Sequence, residues 1–425
     1  MTVVDIVCIG AAEWRGIWAR AQQLMVRLAQ RGHRILYVDP PITYLAPLKN
    51  RDLLQRRWQS AGRLEEVEPG RIWRLEPPIF LPFHGMRRSL NSMNQRRLGR
   101  SLRRRLGQLG WEQPLLWTYL PGSCDLLSAG IDWRYVVYDC VDDHAAFTGL
   151  IDPAVMADME SDLARRADAV FASARALQEK MRRFRPDVLL VPNAADVEHF
   201  AQAAGTAGDA AGLETTEGRK DSEDIGGVKD LKNGAGDLKN ADYHREQKPA
   251  DLPSGYRHII GFIGGIGDWI DTALLAAAAR AHKDWALALI GPVETDVTAL
   301  QALPNVFFLG RKPYAVLPDY VRCFDVCLSP FRLNELTMSV NPVKVYEYLA
   351  AGKPVISTAL PEVLPFSPIV TVCEGAEAFV ASIETAFAED SPEKQAERMA
   401  LARQHSWDAR LTAMLDKIGE GWGCV

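Results

Sequence analysis

DVCLSPFRLNELTMSVNPVKVYEYLAAGKPVIST, residues 325–358, reads as strand, long polar loop, short helix, strand. Asp325–Pro330 is an apolar run closed by proline. Asn341 is placed to cap a helix whose first residue is Pro342, where a missing N–H costs nothing. Gly352 suits the left-handed residue past the helix end, and Pro354 opens the β-branched strand Val355–Thr358. The helix therefore begins just beyond the carboxyl end of a buried strand. In an open α/β sheet that edge holds ligands, and free helix N–H groups there favour an anion. Lys344 in the first turn and Glu347 three residues on share one side of the helix. The pair fits a nucleotide clamp, with an ammonium for a phosphate and a carboxylate for two sugar hydroxyls. It equally fits an ordinary helical ion pair contributing ~0.2–0.5 kcal/mol.

Outward from this stretch, the same alternation recurs on both sides. Val3–Gly10 is a continuous apolar strand, followed by the loop Ala11–Gly16, an amphipathic helix over Ile17–Arg31, and a strand at Arg34–Val38. Further strands are predicted at Leu115–Thr118, Tyr135–Tyr138, Ala169–Ala172 and Val188–Val191. A second series begins near Arg257, with strands at His258–Ile263, Ala286–Ile290, Val306–Leu309, Val326–Ser329 and Val355–Ser357, and a helix at Thr272–Ala281. Buried runs alternating with helical periods indicate two α/β, Rossmann-like halves. Between them, residues 201–255 turn rich in Gly, Ala, Asp and Lys and repeat Asp-Leu-Lys-Asn at 230–233 and 237–240. Such a stretch buries too little apolar surface to offset its ordering, so it reads as a disordered inserted linker. The resulting domains are 1–200, 256–404, and a final helical segment, 405–425.

A chain of 425 residues exceeds one typical core. Hydrophobic residues at 48% and charged ones at 24% describe a globular protein, and a net charge of −5 argues against nucleic acid as a partner. The seven cysteines are scattered and odd in number, and most lie in apolar strands, so they read as reduced thiols. The opening MTVVDIVCIG has no basic n-region of a signal peptide, and no segment has the apolar length of a membrane span. A cytoplasmic protein is expected. Met86–Gly110 is the local exception to the overall acidity, with Arg87, Arg88, Arg96, Arg97, Arg100, Arg103, Arg104 and Arg105 and no acid. Leucines interleave at helical spacing, and apolar Ile79–Phe83 precedes them. Residues 79–110 fit a helix lying on the inner, anionic face of a membrane, and equally a solvated helix packing its leucines on the first domain.

Neither common phosphate motif is present: GAAEWRG lacks the Gly-x-Gly-x-x-Gly order, and no P-loop occurs. The loop GFIGGIGDWID, 261–271, sets Gly264, Gly265 and Gly267 between strand and helix, where a ligand can approach the backbone. YDCVDDH, 138–144, groups Asp142, Asp143 and His144 at a strand end. These residues suit sugar hydroxyls or a proton transfer, a metal, or simple capping of the loop.

Taken together, VPNAADVEHF, IGFIGGIGDW, LALIGPV, NVFFLGRKPY and NPVKVYEYLAAGKPV resemble the glycosyltransferases of the GT-B fold, particularly the retaining group 1 (family 4) enzymes. YDCVDDH with SPFRLN and PVKVYEYLAAGKPV is similar to a bacterial subgroup that includes teichuronic-acid-type glycosyltransferases. The resemblance implies two Rossmann-like domains facing each other across a cleft. A nucleotide sugar would lie on the second domain, a glycan or lipid-linked acceptor would be the other substrate, and no metal or other cofactor would be needed. On that pattern Glu347 holds the ribose hydroxyls, and the helix start at Pro342 and Lys344 faces the diphosphate. Gly16, Gly264, Gly265 and Arg332 belong to the donor site, and Asp142, Asp143 and His144 to the catalytic group. The last helix, near Trp407–Ile418, crosses back to the first domain. Two departures stand out: Ser339 occupies a position that is often Glu in the family, and the 264–271 loop lacks the family's basic pair. Diphosphate charge then falls to Lys344, Arg332, Arg311, Lys312 or Arg15. A sugar-nucleotide epimerase and a non-catalytic subunit of a glycan-assembly complex remain alternatives on the same scaffold.

Overall fold

A computed structural model describes residues 3–45, 60–147, 149–204 and 248–422. Two sheets organise them. The first contains β1 (Asp5–Ile9), β2 (Arg34–Val38), β3 (Leu64–Glu68), β4 (Ile72–Leu75), β5 (Leu115–Thr118), β6 (Tyr135–Cys140), β7 (Ala169–Ala172) and β8 (Leu189–Leu190). The second contains β9 (His258–Ile263), β10 (Trp285–Ile290), β11 (Val306–Gly310), β12 (Val326–Ser329), β13 (Val355–Thr358) and β14 (Thr371–Cys373). Their orders are β3-β4-β2-β1-β5-β6-β7-β8 and β11-β10-β9-β12-β13-β14. Every pairing is parallel except β3 with β4.

Parallel strands covered on both faces must be apolar throughout, and the central strands here are. Ile6, Val7, Cys8 and Ile9 of β1 are all buried, alternate residues joining separate core clusters on the two faces of the sheet. β10 does the same in the second sheet, with Ala286, Ala288 and Ile290 on one face and Leu287 and Leu289 on the other. The edge pair β3–β4 was not predicted. LEEVE in β3 is acidic and only half-buried, which suits an edge strand that must discourage further pairing.

The predicted insert falls mostly on 205–247, outside the described residues. Its described flanks are packed: Ala203 and Leu252 are buried in the core of the second sheet. The helix Trp407–Trp422 returns to the first domain, where Trp407, Leu411, Met414 and Ile418 join the core beneath β1 and β2. A bridge between Ala195 and Ser406 pins the crossing.

The arginine-rich segment forms the helix Arg88–Leu109. Leu98, Leu102 and Leu106 are buried in the first domain, whereas Met93, Arg96, Arg100, Arg103 and Arg104 face solvent. Arg88 is drawn into an acidic cluster of Asp125, Asp158 and Asp162. Among the described residues, Arg96, Arg97, Arg100 and Arg104 have no acidic partner. Cys8, Cys124, Cys140, Cys327 and Cys373 are buried free thiols, Cys323 is half-buried, and Cys424 lies outside the described residues.

Candidate functional site

Loops that follow the carboxyl ends of strands in both sheets meet in one cavity of about 360 Å³. Arg15, Gly16 and Trp18 enter it after β1, Gly264 after β9, Gly291 after β10 and Arg311 after β11. Lys344, from the first turn of the helix Val343–Ala350, also lines it. The crevice beyond the strand ends is where open α/β sheets bind ligands.

The backbone is shaped for close approach. A Cβ on Gly291 would lie 1.9 Å from the Gly264 carbonyl oxygen, so the β9 and β10 loops touch only because that position is glycine. A Cβ on Gly16 would lie 2.6 Å from the Glu13 carbonyl oxygen, to which the Gly16 N–H already donates.

Lys344 Nζ donates to Glu347 Oε2 over 2.8 Å, and Glu347 is only 2% exposed. The ordinary surface ion pair is thereby excluded. Burial of a carboxylate costs more than an exposed pair returns, and here it stands behind Lys344, which lines the cavity. Glu347 lies near Tyr314, whose phenol is pushed well above its usual range by burial and then by Glu347 and Asp196. Tyr314 also joins the two halves. It stacks on Trp18 with ring centres 5.8 Å apart and on His199 at 4.7 Å, and its hydroxyl accepts from Gln23 Nε2 at 2.8 Å.

The helix start differs from the sequence expectation. Pro342 occupies the cap position, Val343 begins the helix, and no side chain caps it. Asn341 instead reaches across the cleft base: its Oδ1 accepts from Asn193 N at 3.1 Å and its carbonyl from Asn193 Nδ2 at 2.7 Å. Its amide nitrogen donates to Glu362, whose other oxygen accepts from Arg175 N at 2.7 Å. The first-turn amides therefore have no side-chain cap.

The expected donor residues do not all converge. Gly16, Gly264 and Lys344 line the cavity; Gly265, Arg332, Pro342 and Glu347 do not. The Gly265 carbonyl accepts from Trp269 Nε1 at 3.2 Å, and the exposed Arg332 is tied by its backbone N–H to Trp269. Ser339 is 8% exposed, in the 3-10 turn Thr337–Ser339. Of the alternative cations, Arg311 is exposed and has no acidic partner among the described residues. Arg15 pairs with the half-buried edge acid Glu65, and Lys312 is drawn to Asp251.

Asp142, Asp143 and His144 follow β6, whose carboxyl end lies along the same sheet edge as that of β1, with β5 between. None of them lines the cavity. Asp143 is a loop cap, accepting from Ala145 N at 3.2 Å and from Lys180 Nζ at 2.7 Å. His144 is buried and its Nε2 lies 3.2 Å from the Tyr119 carbonyl. Since a carbonyl only accepts, Nε2 carries the proton, and in the neutral ring Nδ1 is the acceptor. Asp142 is half-buried; burial raises its pKa, and Asp143 adds to the rise while His144 opposes it. The only metal-ligand geometry among the described residues joins Cys124, Asp125 and Asp162, where Arg88 supplies the cation.

Sequence reasoning missed Tyr314, Trp18, Asn193, Glu362 and Lys180 as site-forming residues. Each acts on a partner distant in sequence, and no local spacing announces such a contact.

Residues 257–389 match the family described as Glycosyl transferases group 1. The chain is 27% identical over 328 residues, 72% of each chain, to TuaH of Bacillus subtilis (strain 168), named for a glycosyltransferase role in teichuronic acid biosynthesis. Sucrose-phosphate synthase from Thermosynechococcus elongatus shares its fold at TM-score 0.64 and 15% identity, covering 99% of this chain and 100% of that one. Anabaena HepE in complex with UDP and glucose shares it at TM-score 0.59 and 12% identity, covering 98% and 100%.

Proposed function

We propose, from the premise that the chain is a glycosyltransferase of the group 1 type with the GT-B fold, that it moves a sugar from a nucleoside diphosphate to an acceptor hydroxyl with retention. The acceptor is a glycan or lipid-linked glycan in cell-surface polysaccharide assembly, and the site of action is the cytoplasmic face of a membrane. The observation that carries the donor reading is the interdomain cavity with Lys344, Arg15 and Arg311 on its wall and an uncapped helix start beside it. Support for a uridine nucleotide comes from the UDP and glucose held by HepE, and support for a polysaccharide acceptor from the role for which TuaH is named.

In the reaction the bond from the sugar C1 to the diphosphate breaks, and a bond from C1 to the acceptor oxygen forms on the same face. Charge then accumulates on the departing diphosphate. Lys344, the arginines and the helix N–H groups stabilise it, the role of fixed donors where transition-state charge develops. Arg15 and Arg311 supply the positive charge missing from the 264–271 loop, so no bound metal is required. The acceptor proton has two destinations, a departing phosphate oxygen and His144 Nδ1. Trp18 and Tyr314, stacked in the cavity wall, present apolar surface that excludes water from the site.

The arginine face of Arg88–Leu109 supports docking on anionic lipid. Phe83, Met86 and Met93 are exposed beside it, at 42%, 40% and 50%. None of the helices among the described residues is long and apolar enough to cross a membrane.

The test is incubation with UDP-, GDP- and ADP-sugars and a panel of glycan and lipid-linked acceptors, in the presence of a chelator. The expected outcome is acceptor-dependent release of one nucleoside diphosphate, with NMR showing the donor's anomeric configuration in the product. Isomerisation of a donor without acceptor would establish the epimerase instead. Nucleotide binding without turnover would establish a non-catalytic subunit.

A further inference from the structure

We propose that Lys180, held between Glu160 and Asp143 beneath the loop after β6, is a positioning residue that fixes Asp142 and His144 for sugar transfer. The proposal rests on the glycosyltransferase reading of the cleft. Lys180 Nζ lies 2.7 Å from Asp143 Oδ1 and 2.5 Å from Glu160 Oε2. Glu160 is fully buried, and its other oxygen accepts from the Tyr138 hydroxyl at 2.8 Å, with the Cys140 thiol 3.7 Å away. The groups belong to four elements: β6, its following loop, the helix Pro153–Arg166 and the helix Arg175–Arg182.

Stability alone is a poor reason for this arrangement. Replacing a buried ion pair by apolar residues is often neutral or stabilising, whereas removing one partner strands a buried charge. What the arrangement does achieve is placement. Asp143 both caps the Ala145 N–H and binds Lys180, so the ammonium holds the turn from which His144 bonds to the Tyr119 carbonyl. The cation also bears on Asp142 through its pairing with Asp143. Asp143 and His144 face that carboxyl on its own loop, with Cys140 of β6 beside it, and Lys180 and Glu160 from the helices stand behind Asp143. Asp143 raises the Asp142 pKa, and Lys180 offsets the Asp143 charge. Glu160 and Asp143 in turn hold the Lys180 pKa above its ordinary value against its burial, so the ammonium stays charged throughout the neutral range.

The experiment compares full-length wild type, Lys180→Met and Lys180→Arg. The readouts are UDP affinity by calorimetry, the pH profile of kcat, and the 13C titration of the Asp142 carboxyl by NMR. In Lys180→Met, kcat should fall about tenfold or more, with UDP affinity within about twofold because Lys180 does not line the cavity proposed for UDP. Asp142 should titrate at higher pH than in wild type, and Lys180→Arg should restore most of both changes. A Lys180→Met protein with wild-type kcat profile and Asp142 titration overturns the proposal. So does parallel loss of kcat, UDP binding and melting temperature, which marks Lys180 as structural only, or failure of arginine to rescue. If wild type transfers no sugar, the glycosyltransferase reading fails. The Asp142 titration then still reports whether Lys180 controls that loop.

Discussion

Glu347→Gln separates the nucleotide clamp from a helix ion pair, because it keeps the shape of the side chain and removes its charge. In the free protein Glu347 is 2% exposed and is neutralised by Lys344 at 2.8 Å. The amide leaves the Lys344 ammonium with a neutral partner. Since 16% of the Lys344 side chain still reaches solvent, the stability loss falls below that of a fully buried pair, at about 1–2 kcal/mol. The effect on ligand is larger in consequence. Two ribose hydroxyls donating to a carboxylate contribute about 1.5–3 kcal/mol each, as hydrogen bonds to a charged group do. An amide offers one uncharged acceptor oxygen in place of the carboxylate's two, and accepts more weakly. Release of Lys344 toward the diphosphate returns part of the loss, which leaves about 2 kcal/mol, or about 30-fold in affinity. Calorimetric titration with UDP and GDP at fixed ionic strength measures this, with a melting curve to show that the variant is folded. Uridine without phosphates is the discriminating ligand: Glu347→Gln should weaken uridine at least as much as UDP, whereas Lys344→Met should weaken UDP alone. A folded Glu347→Gln protein binding its nucleotide within about twofold of wild type would refute the ribose assignment.

Replacing Arg96, Arg97, Arg100 and Arg104 by Ser removes four basic side chains near a lipid surface, at about 1 kcal/mol each. Partitioning onto phosphatidylglycerol vesicles at low salt should drop about a thousandfold, and unchanged sedimentation with vesicles would rule out this docking face. At the interdomain crossing, burial and the neighbouring Arg410 lower His405 from its usual value to about 4. A depressed pKa means that the unfolded chain takes up the proton first. The His405 contribution is therefore complete above pH 6.5 and is lost as pH falls toward about 4. For a half-buried ring this amounts to about 1–2 kcal/mol. Urea unfolding at pH 7 and 4.5 should show a smaller acid loss in His405→Gln than in wild type, and equal losses would exclude the histidine as its source.

How much of this was legible from the chain follows from the range over which each contact acts. Buried parallel strands such as Ile6–Ile9 and Ala286–Ile290 must be apolar on both faces, so they announce themselves locally. The acidic edge strand β3 carries no such mark and escaped notice. Lys344 and Glu347 were legible as a pair because one helical turn joins them. Trp18 with Tyr314, and Lys180 with Asp143, depend on how separate elements pack, which no spacing encodes. Asn341 shows the two ranges in competition. Its position calls for a helix cap, a local gain of about 1 kcal/mol. The chain forgoes it for bonds to Asn193 and Glu362, and Pro342 takes the cap position without supplying a side-chain bond. The helix that bears Lys344 is thus tied at its first turn to the opposite domain, while its own amides are left for an anion. A change in the angle between the domains must move Asn193 relative to Asn341, and so alter the place where that anion would bind.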